Sequence, residues 1–375
     1  MQKKLIALAV AGLLSAPAFA QSNVTLYGSI DYGVTSMGSN DGDGVKSRTG
    51  IDSGISKANR IGFKGTEDLG DNLKAVFVLE NGLEGDIQGG NGIFNGINRQ
   101  SYAGLAGGFG TVAFGRHYTP QHLFTSAVDP FGKNGFGSAG NVLMQDRRLS
   151  NLAAYISPNF SGFNFIVGYT WNGLGQEAIE NNSDARVWAI APSFTWDKLF
   201  VGANYHNARF NRSNAVPVAK AQSVFNVFDL YASYDFGFVK VGSTIGRRTT
   251  KKGFLGSDKD AKLTQWMIGA TFKITPNDSI LTSYSRAGEN KVNGADKRRI
   301  SQWAIGYEHA LTKRTVLYSQ LAVQSHNTAY KDAGSKFWSV PTDGQVGAVT
   351  SSNGPSFTGD TPYRRGFVVG FRHDF

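Results

Sequence analysis

The sequence predicts an all-β chain that spans a membrane. The expected fold is an antiparallel up-and-down β-barrel of about sixteen strands, with short turns at one end and long loops at the other. Three observations predict it. Apolar and polar residues alternate with period two almost from end to end. The polar faces carry small residues, Lys and Arg, which could not fill the core of a soluble sandwich. Glycine is abundant at 47 residues and proline scarce at 10, with 12% aromatics, a composition suited to many strands joined by turns.

The first twenty residues stand apart. MQKKLIALAVAGLLSAPAFA carries Lys3 and Lys4, then an apolar run from Leu5 to Leu14 and the A-x-A site Ala18-Phe19-Ala20. That is the pattern of a cleaved secretory signal peptide, which leaves residues 21–375 as one barrel domain. The chain has no cysteine, which excludes a disulfide framework, thiol catalysis and cysteine-ligated metal. No later apolar run is long enough for a spanning helix, but strands cross with a much weaker hydropathy signal. The net charge of +10 falls to +8 without Lys3 and Lys4. Such a balance suits nucleic acid, anionic lipid or anionic solutes, and export argues against nucleic acid.

The strands can be read in order. In VTLYGSIDYGV, Val24, Leu26, Gly28, Ile30, Tyr32 and Val34 share one face, and Thr25, Tyr27, Ser29, Asp31 and Gly33 the other. FNFIVGYTW sets Phe163, Phe165, Val167, Tyr169 and Trp171 against Asn164, Gly168, Thr170 and Asn172. QWMIGATFKI sets Trp266, Ile268, Ala270, Phe272 and Ile274 against Gln265, Gly269, Thr271 and Lys273. No stretch of similar length shows a 3.6-residue period. Short turns are expected at 69–72, 107–110, 158–162, 196–198 and 275–278. Long loops are expected around 37–57, 85–96, 117–148, 173–183, 211–223, 251–261, 289–298 and 328–361. An apolar outside with a polar inside makes sense only in lipid, where every backbone group must be paired and the sheet must close.

At this point the chain resembles the trimeric sixteen-stranded general-diffusion porins of the Gram-negative outer membrane, betaproteobacterial type. The segments that carry the resemblance are VTLYGSIDYGV, NRIGFKGTEDLGDNLKAVFVLENG at 59–82, NRQSYAGLAGGFGTVAFGRHY at 98–118 and the terminal GFVVGFRHDF. It implies a passive channel for small hydrophilic solutes and ions, and a third long loop folded into the lumen. As partners it implies two further copies of the chain, outer-membrane lipid and lipopolysaccharide, and the barrel-assembly machinery, for which a terminal Phe375 is the signal. It implies no cofactor.

Selectivity in a pore comes from the charges at its narrowest part. Arg60 and Lys64 share one face of the strand 58–67, opposite Ile61 and Phe63. With Arg99 they match the basic cluster that faces the third loop in the family. A lipid-facing Arg or Lys at the bilayer midplane would cost roughly 2–4 kcal/mol, which favours a lumen position for all three. Arg116 falls by alternation with Val112 and Phe114 on the lipid side, so only a bulge or the rim would turn it inward. Arg147 and Arg148 close the long loop and extend the candidate set. In the family an acid in the third loop opposes the basic cluster. Here the corresponding turn is Asp129-Pro130-Phe131-Gly132, followed by Lys133, and Asp129 is expected to face Arg60, Lys64 and Arg99. The shorter acid and the adjacent lysine weaken the negative side, so a preference for anions is expected.

Other chemistry finds little support. Gly135, Gly137 and Gly140 spell G-x-G-x-x-G, but no strand–helix context surrounds them, so they read as tightly bent loop backbone. The histidines at 117, 122, 206, 309, 326 and 373 lack metal-ligand spacing, and G-x-S-x-G is absent. Asp41 and Asp43 are too few for a calcium site. Two alternatives stay open. One is a substrate-specific channel for phosphate, carboxylates or sugars; a sugar channel would show an aromatic track down the interior, whereas most aromatics here fall on the outward parity and Tyr27, Tyr231 and Tyr318 on the inner one. An adhesin or receptor would use the last long loop, with Phe337, Trp338, Val340 and Phe357.

Overall fold

The computed structural model describes residues 23–38, 47–86, 99–132, 135–143, 148–173, 185–210, 223–251, 261–291, 297, 299–327 and 364–375. The signal segment, Lys133, Arg147, Asp41, Asp43 and the loop 328–361 lie outside them. The first eight strands are β1 (Asn23–Gly38), β2 (Arg48–Ser53), β3 (Arg60–Gly70), β4 (Leu73–Gly82), β5 (Ser101–Gly107), β6 (Gly110–Tyr118), β7 (Arg148–Ile156) and β8 (Phe163–Thr170). The rest are β9 (Ala185–Trp196), β10 (Leu199–Phe210), β11 (Ser223–Asp235), β12 (Val239–Lys251), β13 (Ala261–Lys273), β14 (Asp278–Lys291), β15 (Arg299–Ala310), β16 (Thr315–His326) and β17 (Arg365–Asp374).

Every strand pairs antiparallel with its neighbours in the sheet, and β1 pairs with β17 to close it. β2 and β3 form one wall position between them. Both lie against β1, with Met37 opposite Arg48 at one end and Asn23 opposite Thr66 at the other. The barrel therefore has sixteen strands, one of them interrupted. At the interruption the chain leaves the sheet at Gly54, whose φ is +64°, and Ile55 to Asn59 turn into the lumen. Asn59 Oδ1 accepts from the Asp31 amide at 2.6 Å, and the Lys57 amide donates to Asp31 Oδ2 at 2.7 Å. Part of the loop expected at 37–57 is thus strand, and its end is an inward excursion.

The alternation holds as read. Val24, Leu26, Ile30, Val34, Phe163, Val167, Trp171, Ile268 and Phe272 are exposed on the outer face, while Ser29, Asp31, Thr170, Gln265 and Met267 are buried inside. The short turns at 69–72, 107–110, 158–162, 196–198 and 275–278 lie where the sequence placed them. With the turn between β11 and β12 they carry exposed aromatics, Phe109, Phe160, Trp196, Phe236 and Phe238. The buried apolar residues do not form a central core. They line the inner wall and pack against the segment after β6, which fills part of the lumen.

Candidate functional site

That segment begins with a helix that the period-two pattern did not reveal, α1 (Pro120–Val128). Its start signal is Thr119-Pro120. The Thr119 hydroxyl accepts from the His122 amide, and proline at the first helical position loses no intrahelical bond. Nine residues are too few for a periodic pattern to emerge above the strand signal.

The helix lies against the inner wall of β9–β12. Gln121 Nε2 donates to Asp229 Oδ2 at 2.8 Å, and the Phe124 ring meets Tyr231 and Phe200 edge-on, each at 5.6 Å. Glycines clear the track. A Cβ on Gly242 would stand 2.0 Å from the Val128 carbonyl oxygen, one on Gly269 2.7 Å from the Pro130 ring, and one on Gly306 2.8 Å from Phe131. The loop then reaches β14–β16, where Ser283 Oγ donates to the Gly137 carbonyl and Gln302 Nε2 to the Ser138 carbonyl. Gly135 has φ +93° beside Gln320, and the place of a Cβ on Gly137 is taken by the Phe131 ring. The G-x-G-x-x-G spacing is therefore turn and close-packing geometry.

Asp129 does not stand as the charged edge of the opening. It is 5% exposed and caps α1, its amide donating to the Thr125 carbonyl. Its carboxylate accepts from the Phe131 amide at 3.1 Å and the Ala139 amide at 2.8 Å, so it ties the loop to itself. Burial outweighs these bonds and pushes its pKa up to about 7. The physical reason is reach. An Asp one residue before proline closes an Asx-type turn on its own backbone more readily than it extends across a lumen.

Opposite the loop lies a cleft of about 440 Å³. Its charged lining is Lys57, Arg60, Arg99, Arg148, Arg372, Glu308 and Asp374; the loop contributes Pro130, Phe131 and Gly132, and His122 faces it from α1. The carboxylate that meets Arg60 and Arg99 is Glu80, on the inward face of β4. Arg99 Nε donates to Glu80 Oε1 at 2.6 Å, Arg60 Nε stands 3.7 Å from Oε2, and the Tyr27 hydroxyl donates to Oε2 at 3.1 Å. Arg99 Nη2 also donates to the Tyr118 hydroxyl at 2.7 Å, Arg148 lies 5.3 Å from the Tyr118 ring centroid, and His122 stacks on that ring at 4.7 Å. Arg372 forks onto Glu308 at 2.9 and 3.4 Å, and Lys57 pairs with Asp374 at 2.7 Å.

Of the residues the sequence singled out, Arg60, Arg99 and Arg148 meet here. Lys64 shares the inward face but stands nearer the short-turn end, 5.5 Å from the Tyr27 ring and outside the cleft. Arg116 does not line it. The bulge after Gly115 leaves its guanidinium donating to Ser150 Oγ at 2.9 Å. Sequence reasoning missed Lys57, Glu80, Glu308 and Arg372. Glu80 was visible as an inward-parity acid directly opposite Gly62, between two strands of basic residues. The inner tyrosines form no exposed track: Tyr27 is bonded to Glu80, Tyr231 packs on Phe124, and Tyr318 donates to Asp31 at 2.5 Å.

A closed sheet with an apolar exterior and a loop-narrowed, charged lumen is a water-filled channel through a lipid bilayer, and it works without any covalent step. The chain belongs to the Gram-negative porin family, whose model matches residues 7–329. It is a passive channel of the outer membrane. It is 31% identical over 340 residues to outer membrane porin protein 32 of Delftia acidovorans, covering 88% of this chain and 91% of that protein. It also resembles an outer membrane porin protein of Bordetella pertussis, at 29% identity over 384 residues, 89% of this chain and 97% of the relative. Among solved structures, an anion-selective porin from Comamonas acidovorans superposes with a TM-score of 0.73 at 25% identity, covering 95% of this chain and 100% of that one.

Proposed function

We propose that the channel favours anions, and that the cleft between β3–β7, β17 and the loop sets this preference. One observation carries the reading. Among the described residues, five cations line or flank the cleft, against the three carboxylates Glu80, Glu308 and Asp374, and all three acids stand on the same wall as the cations. The described loop residues that line it are Pro130, Phe131 and Gly132, which bring no charge, because Asp129 is turned into the loop. A surplus of positive charge between low-dielectric walls raises the local concentration of anions. Lys64, one level nearer the short-turn mouth, adds to the same field. That the structural relative from Comamonas is an anion-selective porin agrees with this reading.

The rest of the functional unit follows the family. The chain is proposed to lose residues 1–20 on export and to assemble as a homotrimer surrounded by outer-membrane lipid and lipopolysaccharide. Phe375 is proposed to serve as the signal to the assembly machinery. Its side chain is exposed on the outer face, and its backbone pairs with Gly28, so the last residue completes the barrel seam. Reversal potential across a planar bilayer in a KCl gradient tests the selectivity. The anion sign is expected. Arg60→Gln and Gly132→Asp should each move it toward cations, and a cation-selective native channel would overturn the reading.

A further inference from the structure

The lumen has a second side that the charged cleft does not share. Over β7–β11 many inward positions are apolar, where the interior of a water-filled barrel is expected to be polar. Leu149, Leu152, Ala154, Val187 and Ala208 form one buried cluster with Phe225 and Val227. None of the residues buried on α1 belongs to it. Phe124 and Val128 pack instead with Ala191, Tyr231 and Met267. The helix is thus seated on one patch of wall, and between its first turns and the neighbouring patch lies a cavity of about 50 Å³. Pro120 and Leu123 close this cavity from the helix, and Leu152, Ala154, Val187 and Ala189 from the wall.

One polar group of the cavity is unmet. His117 lines it and its ring bonds to the Leu152 carbonyl, yet its Nε2 is buried with no hydrogen-bond partner among the described residues. The ring therefore donates from Nδ1 and leaves Nε2 as an acceptor that lacks a donor, which is costly in an apolar place. Water is a poor answer. At roughly 10–15 Å³ for each molecule the cavity has room for about three or four waters, and each wants about three hydrogen bonds. The lining has few groups to give them: the Thr119 hydroxyl already accepts from the His122 amide, the Tyr118 hydroxyl from Arg99, and His206 Nδ1 meets Asn204 at 3.3 Å.

We propose that this cavity binds a small uncharged alcohol, its hydroxyl donating to His117 Nε2 and an aliphatic body of about three carbons packing against Leu123, Leu152 and Val187. A charged solute does not fit, because nothing in the apolar wall would offset its desolvation. Tyr118 lines this cavity and the charged cleft alike, so the site borders the path of solutes. An occupant braces the first turns of α1 against the wall, and so couples a neutral ligand to the loop that narrows the pore. The site is built from uncharged groups and stands whatever sign the selectivity of the channel takes.

The test compares propan-2-ol with acetone, which is close to it in size and shape but has no hydroxyl to donate. Saturation-transfer NMR on the full barrel in detergent micelles reads binding. Propan-2-ol should bind saturably in the millimolar range, as so small a ligand allows, and several-fold more tightly than acetone. Ala189→Leu, which fills the cavity, should abolish saturable binding, and His117→Phe should bring the two ligands to equal affinity. In the native protein with nitrogen-labelled histidines, propan-2-ol should shift one imidazole Nε2 signal and acetone should not. That measurement needs no variant to fold. Single-channel flicker should fall when propan-2-ol is added to the native channel but not to Ala189→Leu. Equal binding of both ligands, saturable binding that survives Ala189→Leu, or an unmoved imidazole signal would overturn the proposal. Flicker that falls equally in both channels would place the effect in the bilayer and overturn the coupling to the loop.

Discussion

Gly242 and Val128 meet at a distance that only a residue without a side chain permits. The α-carbon of Gly242 faces the last carbonyl of α1 so closely that an added methyl group would lie 2.0 Å from its oxygen. Gly269 stands in register beside Gly242 and meets Pro130 in the same way. The lumen wall is thus grooved by missing side chains, and the loop occupies the groove. Loop position, and with it pore width, is set by sequence on strands far from the loop.

Gly242→Ala should therefore push the C-terminal end of α1 off the wall. Backbone cannot yield as a flexible side chain would, so a cost of about 1–3 kcal/mol is expected from overpacking. Single-channel recording should show a changed conductance with added flicker, and unfolding in detergent should begin at lower denaturant. Gly108→Ala, in a short turn where a Cβ meets nothing within 4 Å and the backbone is not left-handed, should leave conductance unaltered.

Arg99 and Glu80 form a pair in which the side chains are 5% and 3% exposed. Removing one partner of a buried pair leaves the other charge without compensation, a loss of about 3–5 kcal/mol. Glu80→Gln should destabilise the barrel by that order, and Glu80→Gln/Arg99→Met by clearly less. A double-mutant cycle from denaturant unfolding checks the ordering. The same Glu80→Gln change removes a negative charge behind Arg60 and should move the reversal potential further toward anions, opposite in sign to Arg60→Gln.

Burial pushes the pKa of the Asp129 carboxyl up to about 7, well above an ordinary aspartate, against the hydrogen bonds from the Ala139 and Phe131 amides and the Ser138 side chain. A raised pKa means the folded loop prefers the proton. The loop arrangement is fully favoured below about pH 4, and that advantage fades as pH rises through about 7. Exchange of the Phe131 and Ala139 amides with deuterium, corrected for intrinsic rate, should be faster at about pH 8 than at about pH 5.5, on either side of that transition. Asp129→Asn should flatten this dependence.

What the sequence disclosed and what it hid divide along a physical line. Lipid imposes one apolar face on every strand, so the register of Val24 to Val34 or Trp266 to Phe272 is written locally as alternation. Closure, strand number and the inward face of Arg60 follow from that pattern. The direction of Asp129 does not, because parity says nothing about a loop side chain that can bond to its own backbone. The excursion at 54–59 was hidden for a related reason. Gly54-Ile55-Ser56-Lys57 looks like any hydrophilic loop, and only the pairing of both β2 and β3 with β1 shows that it is folded inward to bring Lys57 to the cleft.

A last pair tests how the loop is anchored. Arg248 is 1% exposed, its three guanidinium nitrogens have no hydrogen-bond partner among the described residues, and its guanidinium lies 5.6 Å from the Phe225 ring centroid. Asp229, also 1% exposed, lies within its field and holds Gln121 of α1. The cation is therefore compensated through space and not by a direct bond. Asp229→Asn keeps an acceptor for Gln121 but leaves Arg248 as an uncompensated buried charge, and a loss of about 3–5 kcal/mol is expected. Replacing both, as Asp229→Asn/Arg248→Met, removes the charge while filling the same space beside Phe225. The double variant should recover most of that loss in urea unfolding. Because Gln121 stays bonded, its single-channel conductance should match the native value. If the double variant were instead less stable than Asp229→Asn alone, Arg248 would have to be satisfied by more than the field of Asp229.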